Sequence, residues 1–513
     1  MPCSAMVKQN FIYFFSSIYS HILEENHILY NMKRKKNCLL AAMLCFIASF
    51  CPAEEMLSLL LAGYLRNSLE LQKLSAEAQK QLLAQKSTEI SNGFSFSISS
   101  GTIRIRPGSD SYVTFEPSAS ISIPQASNLK FTISTSMRFD DDDTNRTFST
   151  TKLSASIDLY SDAMQKRKIT LLKAERSVLE ARRKLQDGYL SAEKDFYTSI
   201  KKLYNTAIDI TTAQKDLYDD QLSLETLKAQ GYKKTSPKYR SANMKVLSDQ
   251  RSIQIKQREL ERETKIFASK CGVSYDGSDA LSFLPRAIPD VQAVDVLSFG
   301  KENYAGIESA VWTKHINELS READKTVNIS ANAGYTFNND IADSDTVDAG
   351  ATFKWHDTGL NVTTGVSIPV EGEDKMPIYS LGLSFTPNPF RLAKISEQEK
   401  QLDKEQEDIA IKSAENSYDT SVISQQTALE DLLWTRKTNE ELYDMYVEQE
   451  KELAKYFKSG VITESEYRSA QVNKENYHIK LIINAIDVIL YNQETTLLFH
   501  RDEELYNGRE KQN

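Results

Sequence analysis

LLKAERSVLEARRKLQDGYLSAEKDFYTSIKKLYNTA, residues 171–207, has no proline and places apolar side chains at Leu171, Ala174, Val178, Ala181, Leu185, Tyr189, Ala192, Phe196, Ile200, Leu203 and Ala207. Those are ten steps over thirty-six residues, a mean near 3.6, the period of a nearly straight α-helix rather than the 3.5 of a left-handed supercoil. Outward from it the Pro-free stretch covers 160–230, and a second covers 391–459 in the equivalent half of the chain. Each predicts a helix on the order of 100 Å long at ~1.5 Å per residue, far more than a globular domain needs. Small and aromatic residues share the stripe where a coiled coil would repeat Leu in strict heptads. Close packing of many near-parallel helices fits better.

Shorter helices are expected at 54–90, 237–270, 291–323 and 464–504, two in each half, so that a pair laid end to end matches one long helix. The segment 271–290, with Gly272, Gly277, Pro285 and Pro289, reads as the non-helical connection between halves. Tyr239-Arg240-Ser241-Ala242 recurs as Tyr467-Arg468-Ser469-Ala470, each copy following a glycine turn, Gly231 or Gly460, and opening a return helix. Thr463 and Glu466 have the spacing of a capping box, and Ser236 before Pro237 suits an N-cap and first helical position. Tyr239 and Tyr467 read as packing at the turns, and Asn67 and Asn303 mark corresponding helix starts. The chain thus divides into two repeats, 54–270 with a tip turn at 231–237 and 291–504 with a tip turn at 457–463, followed by a tail at 505–513.

Between the helices of each repeat the period changes to two. Phe94-Ser95-Phe96-Ser97-Ile98-Ser99 alternates apolar and hydroxyl side chains, and the pattern returns at Ala119–Ile123, Leu129–Ile133 and Leu153–Leu159. In the second half it returns at Val327–Ala333, Ala349–Trp355, Leu360–Val366 and Leu381–Phe385, giving strand regions of about 93–159 and 326–386. The polar partners are mostly Ser, Thr and Asn, which suit a wetted wall. Pro107, Pro117, Pro124, Pro369, Pro377, Pro387 and Pro389 fall at strand ends or breaks. Asp140–Asp143 and Asn338–Asp340 form polar tips. With no separate apolar layer to cover either sheet, apolar bands between polar tips point to a β-barrel in lipid.

Composition is consistent with export. At 513 residues, 26% charged and net charge -9, the chain is neither disordered nor basic, so nucleic acid is not an expected partner. Met32 is followed by Lys33–Lys36, an apolar run from Cys38 to Phe50, and Cys51-Pro52-Ala53 before Glu54. That is the layout of a signal peptide at 32–53, with 1–31 as a mis-assigned N-terminal extension. The run is too short to span a bilayer as a helix, and bulky Phe50 disfavours acylation of Cys51. Only Cys271 of the five cysteines lies beyond it, leaving no intrachain disulfide. Enzymatic signatures are missing. The histidines at 21, 27, 315, 356, 478 and 500 are scattered, and there is no HExxH, CxxC, P-loop or nucleophile elbow, so neither catalysis nor a cofactor or metal is expected.

The stretch Phe457-Lys458-Ser459-Gly460-Val461-Ile462-Thr463-Glu464-Ser465-Glu466, with Ala470 beyond it, resembles the tip signature of the TolC-like outer membrane efflux protein family. Ser384-Phe385-Thr386-Pro387 to Phe390 resembles that family's strand-to-helix junction, and the resemblance covers most of 54–504. It implies an α+β membrane protein with two internal structural repeats. A homotrimer would share one outer membrane β-barrel, set in outer membrane lipids and continued by a long periplasmic α-helical tunnel. The implied function is the exit channel of a tripartite efflux pump or type I secretion system, opened at its periplasmic tip by an adaptor protein and an inner membrane transporter.

The resemblance assigns the tip and gate to Gly460, Thr463, Glu464, Glu466 and Tyr467, and a degenerate first-repeat tip to Gly231, Thr235, Ser236 and Tyr239. Glu466 matches one acidic gate position, where copies around an axis would repel and bind cations, and Ser469 replaces the second acid. The family supplies two strands per repeat, whereas the pattern here fits either two long broken strands or four. A periplasmic adaptor or a helical-hairpin scaffold are the alternatives; the second hairpin argues against the former and the two-faced strands against the latter.

Overall fold

The computed structural model describes residues 52–106, 112–140, 146–277, 280–285, 288–323, 327–338, 345–356, 358–370, 376–386 and 388–499. The expected export signal lies outside these except for Pro52 and Ala53, as do Asp141–Asp143, Asn339, Asp340 and the tail. The first repeat opens with α1 (Pro52–Asn67) and α2 (Leu69–Ser91), continues through six strands, and closes with α3 (Ala163–Ala229) and α4 (Pro237–Cys271). A connection with one short helix, α5 (Ala280–Phe283), leads to α6 (Ala305–Ala323), four strands, α7 (Asn388–Lys458) and α8 (Glu464–Phe499).

Both long helices form, 67 and 71 residues without interruption. Val178, Ala181, Leu185, Phe196, Ile200, Leu203 and Ala207 of the 3.6-residue stripe are buried. The core they build takes Leu57 and Leu60 from α1, Leu260 and Phe267 from α4, and Ile479, Ile483 and Ile486 from α8. Contacts run α4–α3–α8–α7, so the hairpins form one layer whose flanks are α4 and α7. End-to-end stacking is also present. Gly63 of α1 lies against the carbonyl of Cys271, and Asn67 donates to the Lys270 carbonyl. On the other side Phe499, at the end of α8, meets Tyr304 and Tyr418 at 5.7 Å.

Two helix expectations need correction. The stretch 54–90 is broken where Ser68 leaves the helix and caps α2 by accepting from Leu71 N. The helix expected over 291–323 starts only at Ala305. Residues 291–304 instead make two short 3-10 turns, because Asp295 accepts from Leu297 N and Asn492 of α8 bonds both Val294 N and the Gln292 carbonyl.

The strands β1 (Ser95–Ser99), β2 (Ile103–Arg106), β3 (Tyr112–Phe115), β4 (Ser118–Ile123), β5 (Leu129–Asp140), β6 (Arg146–Tyr160), β7 (Val327–Asn338), β8 (Thr346–Trp355), β9 (Leu360–Pro369) and β10 (Ile378–Phe385) form one antiparallel sheet. β3 and β4 both pair with β5 in one unbroken register, and β2 pairs β3 as β1 pairs β4. Each of these couples is therefore one long strand broken at Gly101 or at Glu116-Pro117, and the sheet makes four crossings per half. β6 against β7 joins the halves. The sheet is open: β1 and β10 are its two edges, and the chain does not close it into a barrel.

Candidate functional site

Strand register sorts the sheet into two chemically distinct faces. One row of mutual partners runs Phe96, Ile121, Phe131, Ala155, Ala333, Ala349, Val366, Tyr379, from one edge to the other without a charged side chain. The next runs Ile98, Ala119, Ile133, Leu153, Tyr335, Val347, Ile368. On the opposite face the intervening row is Ser97, Ser120, Thr132, Ser154, Gly334, Asp348, Ser367, ending at Ile378 on the edge strand, and the row beside it is Ser95, Ser122, Lys130, Ser156, Asn332, Gly350, Gly365, Ser380. The apolar face is uncovered, with Ile98 74%, Leu381 77% and Leu383 71% exposed. A monomeric soluble protein rarely leaves so wide an apolar surface in water.

At the other end of the helices lie the two tips. Gly460 and Gly231 have φ of +74° and +81°, the left-handed conformation that ends α7 and α3. Val461 N bonds the Tyr456 carbonyl, as Tyr232 N bonds that of Leu227. Thr463 and Glu466 make the capping box: the carboxylate accepts from Thr463 N and Oγ1, both at 2.9 Å, and Glu466 N donates to Thr463 Oγ1 at 3.3 Å. The Thr463 backbone N–H, then its hydroxyl, hold the Glu466 carboxyl below the ordinary range. Glu464 pairs with Arg468 at 3.5 Å. Tyr467 stacks on Phe457 at 5.2 Å and accepts from Gln471. In the first tip Ser236 accepts from Tyr239 N, Tyr239 is buried with Leu224 and Val246, and Thr235 is exposed in the turn. The two tip groups sit at the ends of separate hairpins rather than in one site.

Residues that the sequence did not single out tie the tips to the shaft. Ser465 donates to Asp219, so the second tip meets α3 well short of its end, and the first hairpin projects further by roughly 10 Å at ~1.5 Å per residue. From Thr226 to Ser248 that hairpin carries Lys228, Lys233, Lys234, Lys238, Arg240 and Lys245 and no carboxylate. Lys245 is bound at 2.7 Å to Asp220. Burial works against the charge of Asp220, but Lys245 and Asp249 outweigh it and lower its pKa; burial, then Asp220, push Asp249 up. Farther up, Arg176 and Arg183 of α3 converge on Glu308 of α6, with Arg176 5.2 Å over the Trp312 ring. Burial opposes the charge of Glu308, but the two arginines overcome it and hold its carboxyl below the usual range. No group of His, Cys, Asp and Glu suited to a metal ion occurs among the described residues.

Residues 60–288 match the TP096X N-terminal domain and residues 289–502 match the TP096X C-terminal domain. No curated protein matches the chain. Among solved structures it is similar to the outer-membrane channel OprN at 12% identity and a TM-score of 0.48, covering 86% of this chain and 89% of that one. The outer membrane protein VceC of Vibrio cholerae aligns at 12% identity and a TM-score of 0.46 over 86% of this chain and 96% of its own. The MtrE outer membrane channel of Neisseria gonorrhoeae, solved in its open state, aligns at 11% identity and a TM-score of 0.45 over 86% and 89%.

Proposed function

We propose that this chain, which belongs to the TP096X family, is a passive exit duct of the outer membrane that serves an efflux pump or type I secretion system. The observation that carries the reading is the uncharged apolar band, continuous through all eight crossings and backed by a face rich in Ser, Thr, Asn and Gly that also carries Lys130, Lys152 and Asp348. β5 to β9 are 10 to 15 residues long, enough for the roughly 9–11 residues that a tilted strand needs to cross the hydrocarbon. None of the described helices is long and apolar enough to cross a membrane.

Closure then requires other copies. β1 runs away from the helices and β10 runs back towards them, so β10 of one copy is antiparallel to β1 of the next and can extend the ladder. We take the assembly to be a homotrimer: three sheets close one barrel, and three helical layers close one tunnel through the periplasm. The tips open when a periplasmic adaptor and an inner membrane transporter dock. Nothing in this function asks for bond chemistry.

The test is reconstitution. The full chain is expected to partition into the detergent phase, to migrate unheated as a trimer and heated as a monomer, and to conduct ions in planar bilayers. A monomer released in soluble form by osmotic shock would overturn the reading.

A further inference from the structure

The outer flanks of the helical layer carry matching stripes of opposite charge. On α4 the exposed side chains at helical spacing are Arg240, Met244, Arg251, Ile255, Arg258 and Ile266, with Met244 70% exposed. On α7 they are Glu430, Trp434, Lys437, Glu441, Met445, Glu448 and Glu452, with Trp434 also 70% exposed and Lys437 paired with Glu441, so that the acidic part runs from Glu441 to Glu452. A charged helix face is ordinarily solvated, but large apolar side chains regularly spaced within one are not explained by solvation. Among the described residues no ion pair within the chain engages Arg251, Arg258, Glu448 or Glu452.

Height along the shaft can be read from side-chain contacts that cross the layer. Glu450 with Lys474, Asn476 with Thr211, and Asp209 with Lys256 set the level of Glu448 on α7 at that of Gln254 on α4, between Arg251 and Arg258. Higher up, Asn439 with Asn484, Lys201 with Asp487, and Lys202 with Glu263 place Glu441 level with the turn from Arg258 to Arg262. Rotation about an axis parallel to the helices preserves height. In a ring, therefore, Glu448 and Glu452 of one copy come level with Arg251 of the next, and Met445 with Ile255.

We infer that α7 of one copy docks on α4 of the next, its acidic and apolar stripe against the basic and apolar stripe, and that this seam closes the helical tunnel. The inference rests on the ring assembly proposed above and specifies which surfaces make it. Because the two flanks differ, the contact is head-to-tail and propagates around a ring. Charge at its rim also makes the seam sensitive to salt.

The experiment compares four full-length proteins: wild type, Arg251→Glu/Arg258→Glu, Glu448→Lys/Glu452→Lys, and all four substitutions together. Unheated trimer is read on gels at low and high salt. Each single-flank reversal is expected to lower the trimer fraction by about tenfold at low salt, with partial recovery at high salt, and the fourfold variant to return to near the wild-type level. Oxidation of a Glu448→Cys/Arg251→Cys protein is expected to link copies covalently, since the two positions lie on opposite flanks of one copy. Loss of trimer that the fourfold variant does not rescue, reversals without effect, or no cross-link between copies would overturn the seam while leaving the duct intact. A wild-type protein that neither trimerises nor conducts would overturn the duct itself.

Discussion

Glu308 is a charged tie between the two repeats. It reaches from α6 to two arginines of α3, and its side chain keeps only 14% of its exposure while that of Arg176 keeps 7%. Removing the carboxylate takes this partner from Arg183 and leaves Arg176 with Glu180 alone, in a half-buried place. Glu308→Ala is expected to destabilise by about 3 kcal/mol, measured by denaturant titration in detergent. Since the folded carboxyl is lowered, its contribution is present above the ordinary glutamate pKa and is lost as pH falls through the lower folded value. Thermal stability of the wild type should therefore drop below about pH 4.5, and Glu308→Gln should remove that part of the dependence. At the tips, Thr463→Ala and Ser236→Ala each delete a helix cap, and each is expected to cost about 1 kcal/mol in the local opening free energy read by hydrogen exchange.

Among the elements, α1 and α4 meet through an absence. A Cβ on Gly63 would lie 2.1 Å from the Cys271 carbonyl oxygen, a backbone atom that cannot swing aside. Gly63→Val is expected to part the two helix ends and expose Cys271, whose thiol burial pushes up to about 12 and which is 2% exposed. The check is maleimide labelling: slow in the wild type and fast in the variant. Strands give the complementary prediction. Ile133 sits in the apolar row between Ala119 and Leu153, so Ile133→Lys is expected to cost about 2–4 kcal/mol in lipid, whereas Ser134→Lys on the other face should be tolerated. Folding yield into vesicles distinguishes them.

For the molecule as a whole, the parts that were legible in the sequence are those governed by a local period. The 3.6-residue stripe of α3 and the period-two runs of β1 and of β4 to β10 depend on side chains near in sequence, and so do the caps at Ser236 and Thr463. β2 and β3 leave little periodic signal because IRIR and YVTF are four residues each and interrupted by Gly101 and Glu116-Pro117. The start of α6 is hidden because Val291, Val294 and Leu297, three residues apart, continue a helical spacing ahead of it, while the fold is decided by Asn492, about two hundred residues away. Contacts between hairpins, such as Ser465 with Asp219, have no local signature at all. Neither did the charge match of α4 and α7, which needs the heights of helices that do not touch.

The unequal reach of the hairpins has a mechanical side. In the proposed ring of three copies, six tips of equal height would have to match a docking partner's surface all at once, whereas three longer, basic first hairpins would touch it first. Three points always lie in one plane, so a rigid partner can seat on them whatever its own unevenness, as a tripod stands on rough ground. Shortening α3 and α4 by two turns at the Gly231 tip, with Gly460 left alone, should therefore abolish partner capture in a pull-down without changing single-channel conductance; unaltered capture would rule the idea out. In that arrangement the second hairpins would be spared from bearing the contact.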